Sequence, residues 1–435
     1  MAEFEIPQTV RWIGHNGEAS PRILVVGTLD TKFAELCFLA DAIDAAGGTP
    51  ILLDSSLSGE AVPAATYPVI GAAEVAGAAG STLEEMASLP RGEAGERMQA
   101  GVRAAIGALV AADLVRGAIC IGGAGAHVVG PAFRELPIGF PKMVVSPLTS
   151  GQRRFEPYVG LRDVATLHSV ADIAGINEVT EKVLRTAAGY IVGASRAAGN
   201  GNGAAAEEDR RPAVAVSMNG NTTKALDRAR AQLEAADLAV VVFHANGVGG
   251  RAFEQFVADG RATLVLDYTT TELAATLVGG LMDAGPGRME TAGRMGVPQV
   301  LVPGCVDFIT CGRWEEAAEE FPDRVMFRHN PELTLVRLTR EEMAELGALF
   351  AAKANKATGP TSILVPKRGF SVPDAEGGVF WDPEADAAFV DALLAAVRDG
   401  IQVEVIDAHI NDDAFADAAV QRLLALAGLE SEVGA

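Results

Sequence analysis

Short, unbroken apolar runs alternate with segments of helical period along most of the chain. In the first half the runs are 22–27 (RILVVG), 49–54 (TPILLD), 114–121 (LVRGAICI) and 142–146 (KMVVS). Between them, 31–46 puts Phe33, Leu36, Leu39, Ala40 and Ile43 on one helical face, and 96–112 does the same with Met98, Val102, Ile106, Leu109 and Val110. A strand that is apolar throughout is buried on both faces, and amphipathic helices between such strands cover them. The second half repeats the plan with runs at 212–218, 238–244, 262–267, 299–302, 362–366 and 403–407. Helical segments there include 222–235 and one that opens on the capping-box spacing of Thr339 and Glu342. The pattern predicts an α/β chain of two doubly wound, Rossmann-like parallel-sheet subdomains.

The stretch 194–212 (ASRAAGNGNGAAAEEDRRP) is small and polar and has no period. It predicts a flexible linker between an N-terminal nucleotide-binding subdomain, 1–193, and a C-terminal subdomain, 213–435. Three pairs of segments suggest a diverged duplication. VVGTLDTK at Val25 answers AVSMNGNTTK at Ala215, DLVRGAICIGGAG at Asp113 answers DLAVVVFHANGVGG at Asp237, and VVSPLTSG at Val144 answers VLDYTTTE at Val265. Doubly wound folds share this grammar, so the pairs fit common ancestry and common architecture alike.

Charge narrows the function. The 435 residues carry 35 Lys and Arg against 57 Asp and Glu, a net charge of −22. A field of that sign repels phosphate backbones, so nucleic-acid binding is not expected. A small anion would have to be held by backbone N–H groups instead. The four cysteines, Cys37, Cys120, Cys305 and Cys311, form no C-x-x-C pair, which argues against a disulfide scaffold or zinc ribbon. Residues 1–11 show no basic stretch leading into an apolar run, and no apolar stretch is long enough to span a bilayer. A cytoplasmic protein with no membrane partner is the expectation.

Ligands of open parallel sheets bind beyond the carboxyl ends of the strands. Two glycine turns stand there in the first half: Gly27-Thr28-Leu29-Asp30-Thr31-Lys32, and Gly122-Gly123-Ala124-Gly125. Their amides and the helix dipoles behind them would cradle an anion. Thr28, Thr31 and Lys32 would reach phosphate oxygens, and Asp30 would hold a metal. Glycines that merely let the chain turn would leave the same trace. No G-x-x-x-x-G-K-[ST] is present, so the chain is not a P-loop protein. In the second half Gly247, Gly249 and Gly250 precede Arg251 and Ala252, and Asp267 closes the next strand, which fits a dinucleotide fingerprint. A nicotinamide-type oxidoreductase is therefore one alternative. Ser146, Ser150 and Gly151 form a hydroxyl-bearing turn suited to phosphate or to helix capping, and 269–272 (TTTE) matches it. His244, Arg251, Glu272 and His329 are the acid/base and anion-holding candidates for an enzyme acting on a small anionic metabolite.

Taken together, GTLDTK at Gly27, GGAGAH at Gly122, VVFHANGVGGRAFE at Val241, LDYTTTELA at Leu266, RHNPELTLVR at Arg328 and DAHINDDAFA at Asp407 resemble the ATP-binding domain family of the tomato mosaic virus resistance protein. The resemblance extends over nearly the whole chain. It implies two α/β subdomains, ATP bound with Mg²⁺, a homodimer, and a separate TIM-barrel partner. The second glycine turn departs from the family's usual GGSGGT at Ala124, Ala126 and His127, which removes polar or flexible positions there. A non-catalytic, nucleotide-gated interaction module is the remaining alternative.

Overall fold

A computed structural model describes residues 4–11, 20–60, 63–123, 125–149, 159–199 and 211–429. The chain divides into two compact units, Met1–Glu208 and Asp209–Ala435.

The first unit is built on a six-stranded sheet: β1 Arg22–Gly27, β2 Thr49–Asp54, β3 Val69–Ile70, β4 Gly117–Ile121, β5 Lys142–Ser146 and β6 Ala165–His168. The strands lie in the order β3-β2-β1-β4-β5-β6, all pairs parallel. Successive residues of β1 enter opposite layers. Leu24 and Val26 pack with Met98, Val102 and Ile106 of the helix Arg91–Ala111, whereas Ile23 and Val25 pack with Leu36, Leu39 and Ile43 of the helix Leu29–Ala45. Each fully buried aliphatic side chain contributes about 1.5–3 kcal/mol, which is why the strands read as unbroken apolar runs.

The second unit carries β7 Ala213–Met218, β8 Ala239–His244, β9 Leu264–Thr269, β10 Gln299–Gly304, then β11 Phe308–Cys311, β12 Met326–Arg328 and β13 Thr334–Arg337, and finally β14 Thr361–Pro366 and β15 Gln402–Ile406. Its main sheet is again parallel, in the order β15-β14-β10-β9-β7-β8. The strands β11, β13 and β12 form a separate antiparallel sheet. Val214, Val216, Leu264 and Leu266 pack against the helices Thr223–Ala235 and Asp413–Leu426. Leu301, Ile363 and Val365 pack against Arg340–Ala354 and Pro383–Ala396. The capping box is formed: Thr339 Oγ1 accepts from the Glu342 amide at 3.2 Å, and Glu342 Oε2 accepts from the Thr339 amide at 2.8 Å.

Two expectations change. The helix Glu178–Gly199 runs through the first residues of the expected linker. The alanine-rich segment continues the period of Ile191 and Val192 into the fully buried Ser195, and Arg196 donates to the carbonyls of Ala46 and Gly47. Residues 200–210 of that linker lie outside the described residues. The paired segments also take different places. β4 sits between β1 and β5, whereas its counterpart β8 sits at the sheet edge, outside β7. What the pair shares is a helix end. Asp113 and Asp237 have φ of +55° and +60°. The next amide in each case reaches back to a helical carbonyl, Leu114 to Leu109 and Leu238 to Leu233. The repeated Asp-Leu is thus a recurrent stop signal and does not need a common ancestor.

Candidate functional site

Chain order reverses in the first unit between β1 and β4, which are hydrogen-bonded neighbours. Such a switch point opens a crevice at the strands' carboxyl ends. Both first-half glycine turns reach it. A Cβ built on Gly125 would lie 3.6 Å from Thr28 Cγ2, so the turns meet. Among the described residues, a Cβ on Gly123 would meet nothing within 4 Å. The helix Ala126–Glu135 begins there on Gly125 with no side chain capping it. Ala124 lies outside the described residues.

The β1 turn differs from the expected cradle. The amide of Leu29 donates to Asp54 Oδ1 at 3.0 Å and that of Asp30 to Ser56 Oγ at 3.1 Å. The amides of Thr31 and Lys32 return to the Thr28 carbonyl, at 3.3 and 2.9 Å. Thr28 and Thr31 bond each other through their hydroxyls at 2.8 Å. The donors that every helix leaves unpaired at its start are therefore served by the chain itself, and this helix start does not offer its amides to a phosphate. Asp54 and Ser56 were not among the candidates. The signal for them was the acid closing the second strand, where α/β folds place a ligand-directed carboxylate.

Ser146 is fully buried at the end of β5, its Oγ accepting from the Leu148 amide at 3.2 Å. Its carbonyl accepts from Thr149 Oγ1 at 2.9 Å. Those bonds make it a turn-forming residue. Ser150 and Gly151 lie outside the described residues.

In the second unit the glycine turn already holds an anion. The amides of Gly247 and Gly250 donate to Glu272 Oε1 at 2.6 and 3.0 Å. The other Glu272 oxygen takes Arg288 Nε. Arg288 forks onto Asp267 at 2.6 and 2.7 Å and reaches Glu254 at 3.3 Å. Arg288 and Glu272 are both 0% exposed. Burial pulls the guanidinium pKa down, but Asp267 and Glu272 outweigh it and hold Arg288 well above its usual value. Three expected roles need correction on this geometry. Asp267 is locked to Arg288 and accepts from Ser217 Oγ at 2.6 Å, so it is not open to a ribose hydroxyl. Gly247 and Gly250 face a protein carboxylate, and Gly249 gives a close approach to the His244 carbonyl. Glu272 is sealed away from any substrate. His244 is exposed on the edge strand and His329 stands in the turn between β12 and β13, its amide donating to Leu333 at 3.1 Å. Arg251 lies on the helix Val248–Ala258. The four acid/base candidates thus occupy different settings and do not form one constellation.

A second buried cluster went unread in the sequence. Asp307, Asp374 and Asp386 are at most 4% exposed, and each has one oxygen without a partner among the described residues. Arg337 donates to Asp386 at 2.6 Å, Ser371 to Asp307 at 2.7 Å and the Phe370 amide to Asp374 at 2.8 Å. Burial, reinforced by the other two carboxylates, pushes Asp374 up to about 9. Burial, opposed by Arg337, pushes Asp386 up to about 7. A carboxyl with a raised folded pKa holds a proton that the unfolded chain has lost, so stability falls as pH rises through that pKa. Stability should therefore fall between pH 6 and 9 by at least about 1.4 kcal/mol, one proton held over one pH unit. Urea titrations across that range check it, and Asp374→Asn should flatten the slope. A stability that rises over the range would contradict the assignment.

The sequence model described as "Uncharacterised protein family (UPF0261) N-terminal domain" matches residues 21–200, and that of the UPF0261 C-terminal domain matches 211–427. The chain belongs to the UPF0261 family. A UPF0261 protein of Clostridium tetani is 39% identical over 407 residues, covering 93% of this chain and 98% of that one. The ToMV resistance protein Tm-1(GCR237) of Solanum lycopersicum is 33% identical, covering 93% of this chain and 56% of its own length. A Streptomyces glycosyltransferase structure, SsfS6 complexed with thymidine diphosphate, aligns at 14% identity over 92% of this chain and 98% of that one, with a TM-score of 0.21, too low to bear on function. Among the described residues of this UPF0261 chain, no helix is long and apolar enough to cross a membrane.

Proposed function

We propose that the chain binds ATP with Mg²⁺ in the crevice between β1 and β4 of the first unit. The observation that carries this reading is the reversal of strand order at that point, with the open Gly122-Gly123 turn on one lip and Thr28 on the other. The sequence resemblance to the ATP-binding domain family supports the choice of nucleotide. Phosphates would lie over Gly123 at the start of the helix Ala126–Glu135, where the dipole favours an anion; the amides of Ala126 and Val128 return to the Gly123 and Gly125 carbonyls at 3.1 and 3.0 Å, so the contacts would come from the glycine amides. The β1 turn, with its amides committed, would contribute Thr28 and Lys32 as side chains only.

Magnesium fits this arrangement as an ion carried mainly by phosphates. It usually takes one or two carboxylates plus substrate phosphates. Among the described residues no group of three ligand-type side chains is gathered for a metal. Asp30, the expected ligand, already accepts from Ser58 Oγ at 2.8 Å. On the same resemblance the chain would act as a homodimer; light scattering on the purified chain tests this.

Thermal unfolding with Mg²⁺ alone and with Mg²⁺ and ATP tests the reading. Ligand at a hundred times its Kd adds about 2.7 kcal/mol to the folded state. A melting temperature that rises with ATP concentration is expected. An unchanged melting temperature up to millimolar ATP would rule the proposal out.

A further inference from the structure

Residues 367–382, between β14 and the helix Pro383–Ala396, form no helix or strand. Two buried phenylalanines pin the middle of this segment at its ends. Phe370 meets Phe389 with ring centroids 5.5 Å apart, and Phe380 meets Phe308 at 6.2 Å. Between the pins Val372, Glu376, Gly377 and Val379 are exposed. The amides of Asp374, Gly378 and Phe380 donate within the segment, to the carbonyls of Ser371, Ala375 and Pro373 at 3.1, 2.6 and 2.9 Å. Asp374 is the one buried charge of the stretch.

The charges that act on Asp374 come from three other elements: Asp307 from the turn after β10, Asp386 from the helix Pro383–Ala396, and Arg337 from β13. Cys305, beside Asp307, is held as a neutral thiol by burial and by those carboxylates. From the turn after β15, the His409 ring pairs Nε2 with the Ser371 carbonyl at 2.9 Å, while its Nδ1 accepts from the Asn411 amide at 3.1 Å. Arg337 is spent on Asp386 and on the carbonyls of Phe380 and Asp307. Three buried carboxyls thus meet one cation, and each keeps an oxygen without a partner among the described residues. A carboxylate oxygen only accepts, whereas a protonated carboxyl also donates. A proton on the cluster therefore removes a repelling charge and supplies a donor. Without it, uncompensated charge is left in a dry interior, which is costly. Asp386 stands on a helix and Asp307 joins two strands, so Asp374 is the member whose backbone is free of both.

We propose that residues 371–379 are a strap that a proton on this cluster holds shut, and that loss of the proton lifts the strap and carries Asp374 into water. The proton is bound in the closed form and lost from the open one, so opening is favoured as pH rises. Local openings of this kind are read by amide hydrogen exchange. Exchange of the full chain, corrected for the intrinsic pH dependence, is followed between about pH 6 and 9.5 at Asp374, Gly378 and Phe380 and at β10 and β14. Strap exchange should rise about tenfold per pH unit, the slope of a step that releases one proton. At the top of the range the strap should exchange almost freely while the sheet amides stay protected. Asp374→Asn has no proton to lose and should keep Gly378 and Phe380 protected throughout. Asp386→Asn removes a repelling charge and keeps an acceptor for Arg337, so its strap should be better protected than that of the wild type at high pH. A strap indifferent to pH, or one that opens in Asp374→Asn or Asp386→Asn as it does in the wild type, overturns the proposal. So does loss of protection in β10 and β14 to the level of the strap, because the whole unit then responds and no strap moves by itself.

Discussion

Replacing Arg288 by methionine should lower the unfolding free energy of the chain by about 3–5 kcal/mol, the usual cost of removing one partner from a buried ion pair. The methionine fills similar space, so packing alone does not account for the loss. What remains is electrostatic: Asp267, Glu272 and Glu254 converge on one guanidinium, and its removal leaves them facing one another. The Gly247–Gly250 turn wraps Glu272, so the damage should spread to the end of β8. Gly250→Ala should act on the same network from the other side, because its Cβ would fall 2.2 Å from both Glu272 carboxylate oxygens. Arg228→Met is the matched control. Arg228 pairs with Asp417 and Asp413 on the exposed face of the same unit. An exposed pair contributes about 0–1 kcal/mol. Urea denaturation of the three proteins distinguishes the cases, and a loss at Arg288 no greater than at Arg228 would show that the network is not what holds this edge together.

The second large effect concerns the ligand. Gly123→Asp should weaken Mg²⁺-ATP binding at least about a hundredfold, roughly 2.7 kcal/mol, while the protein folds normally. The added side chain meets none of the described residues within 4 Å of its Cβ, so folding has little to lose. Its charge would stand where phosphates are proposed to lie, and like charges at close range in a partly dry crevice repel strongly. Gly123→Ala adds bulk without charge and should cost less. The order wild type, alanine, aspartate in affinity, with superimposable melting curves without ligand, is the expected result. Three equal affinities would move the phosphates elsewhere.

Much of the architecture was legible because burial on both faces leaves an unmistakable trace. TPILLD spans β2 to the residue, and RILVVG does the same for β1. The antiparallel sheet was not legible. Its strands β11, β12 and β13 have three or four residues each, too short for an alternating pattern to stand out, and the connection from β12 to β13, 329–333 (HNPEL), has no glycine. The site was harder still, for a physical reason. A glycine turn shows that backbone amides come close to something, and it does not say to what. After β4 a Cβ on Gly123 would meet none of the described residues, whereas after β8 the turn faces Glu272, and the two look alike as strings. The difference lies in Arg288, sixteen positions beyond Glu272, whose burial no local pattern announces. The buried carboxylates Asp307, Asp374 and Asp386 escaped notice for the same reason, since they come from segments far apart in sequence.

The most direct measurement follows backbone amide resonances of the full chain as Mg²⁺-ATP is added. Saturable shifts are expected at Gly122, Gly123 and Gly125, and unmoved signals at Gly247, Gly249 and Gly250, whose turn is closed around Glu272. Shifts confined to the second-unit glycines, or saturation with neither set moving, would contradict it.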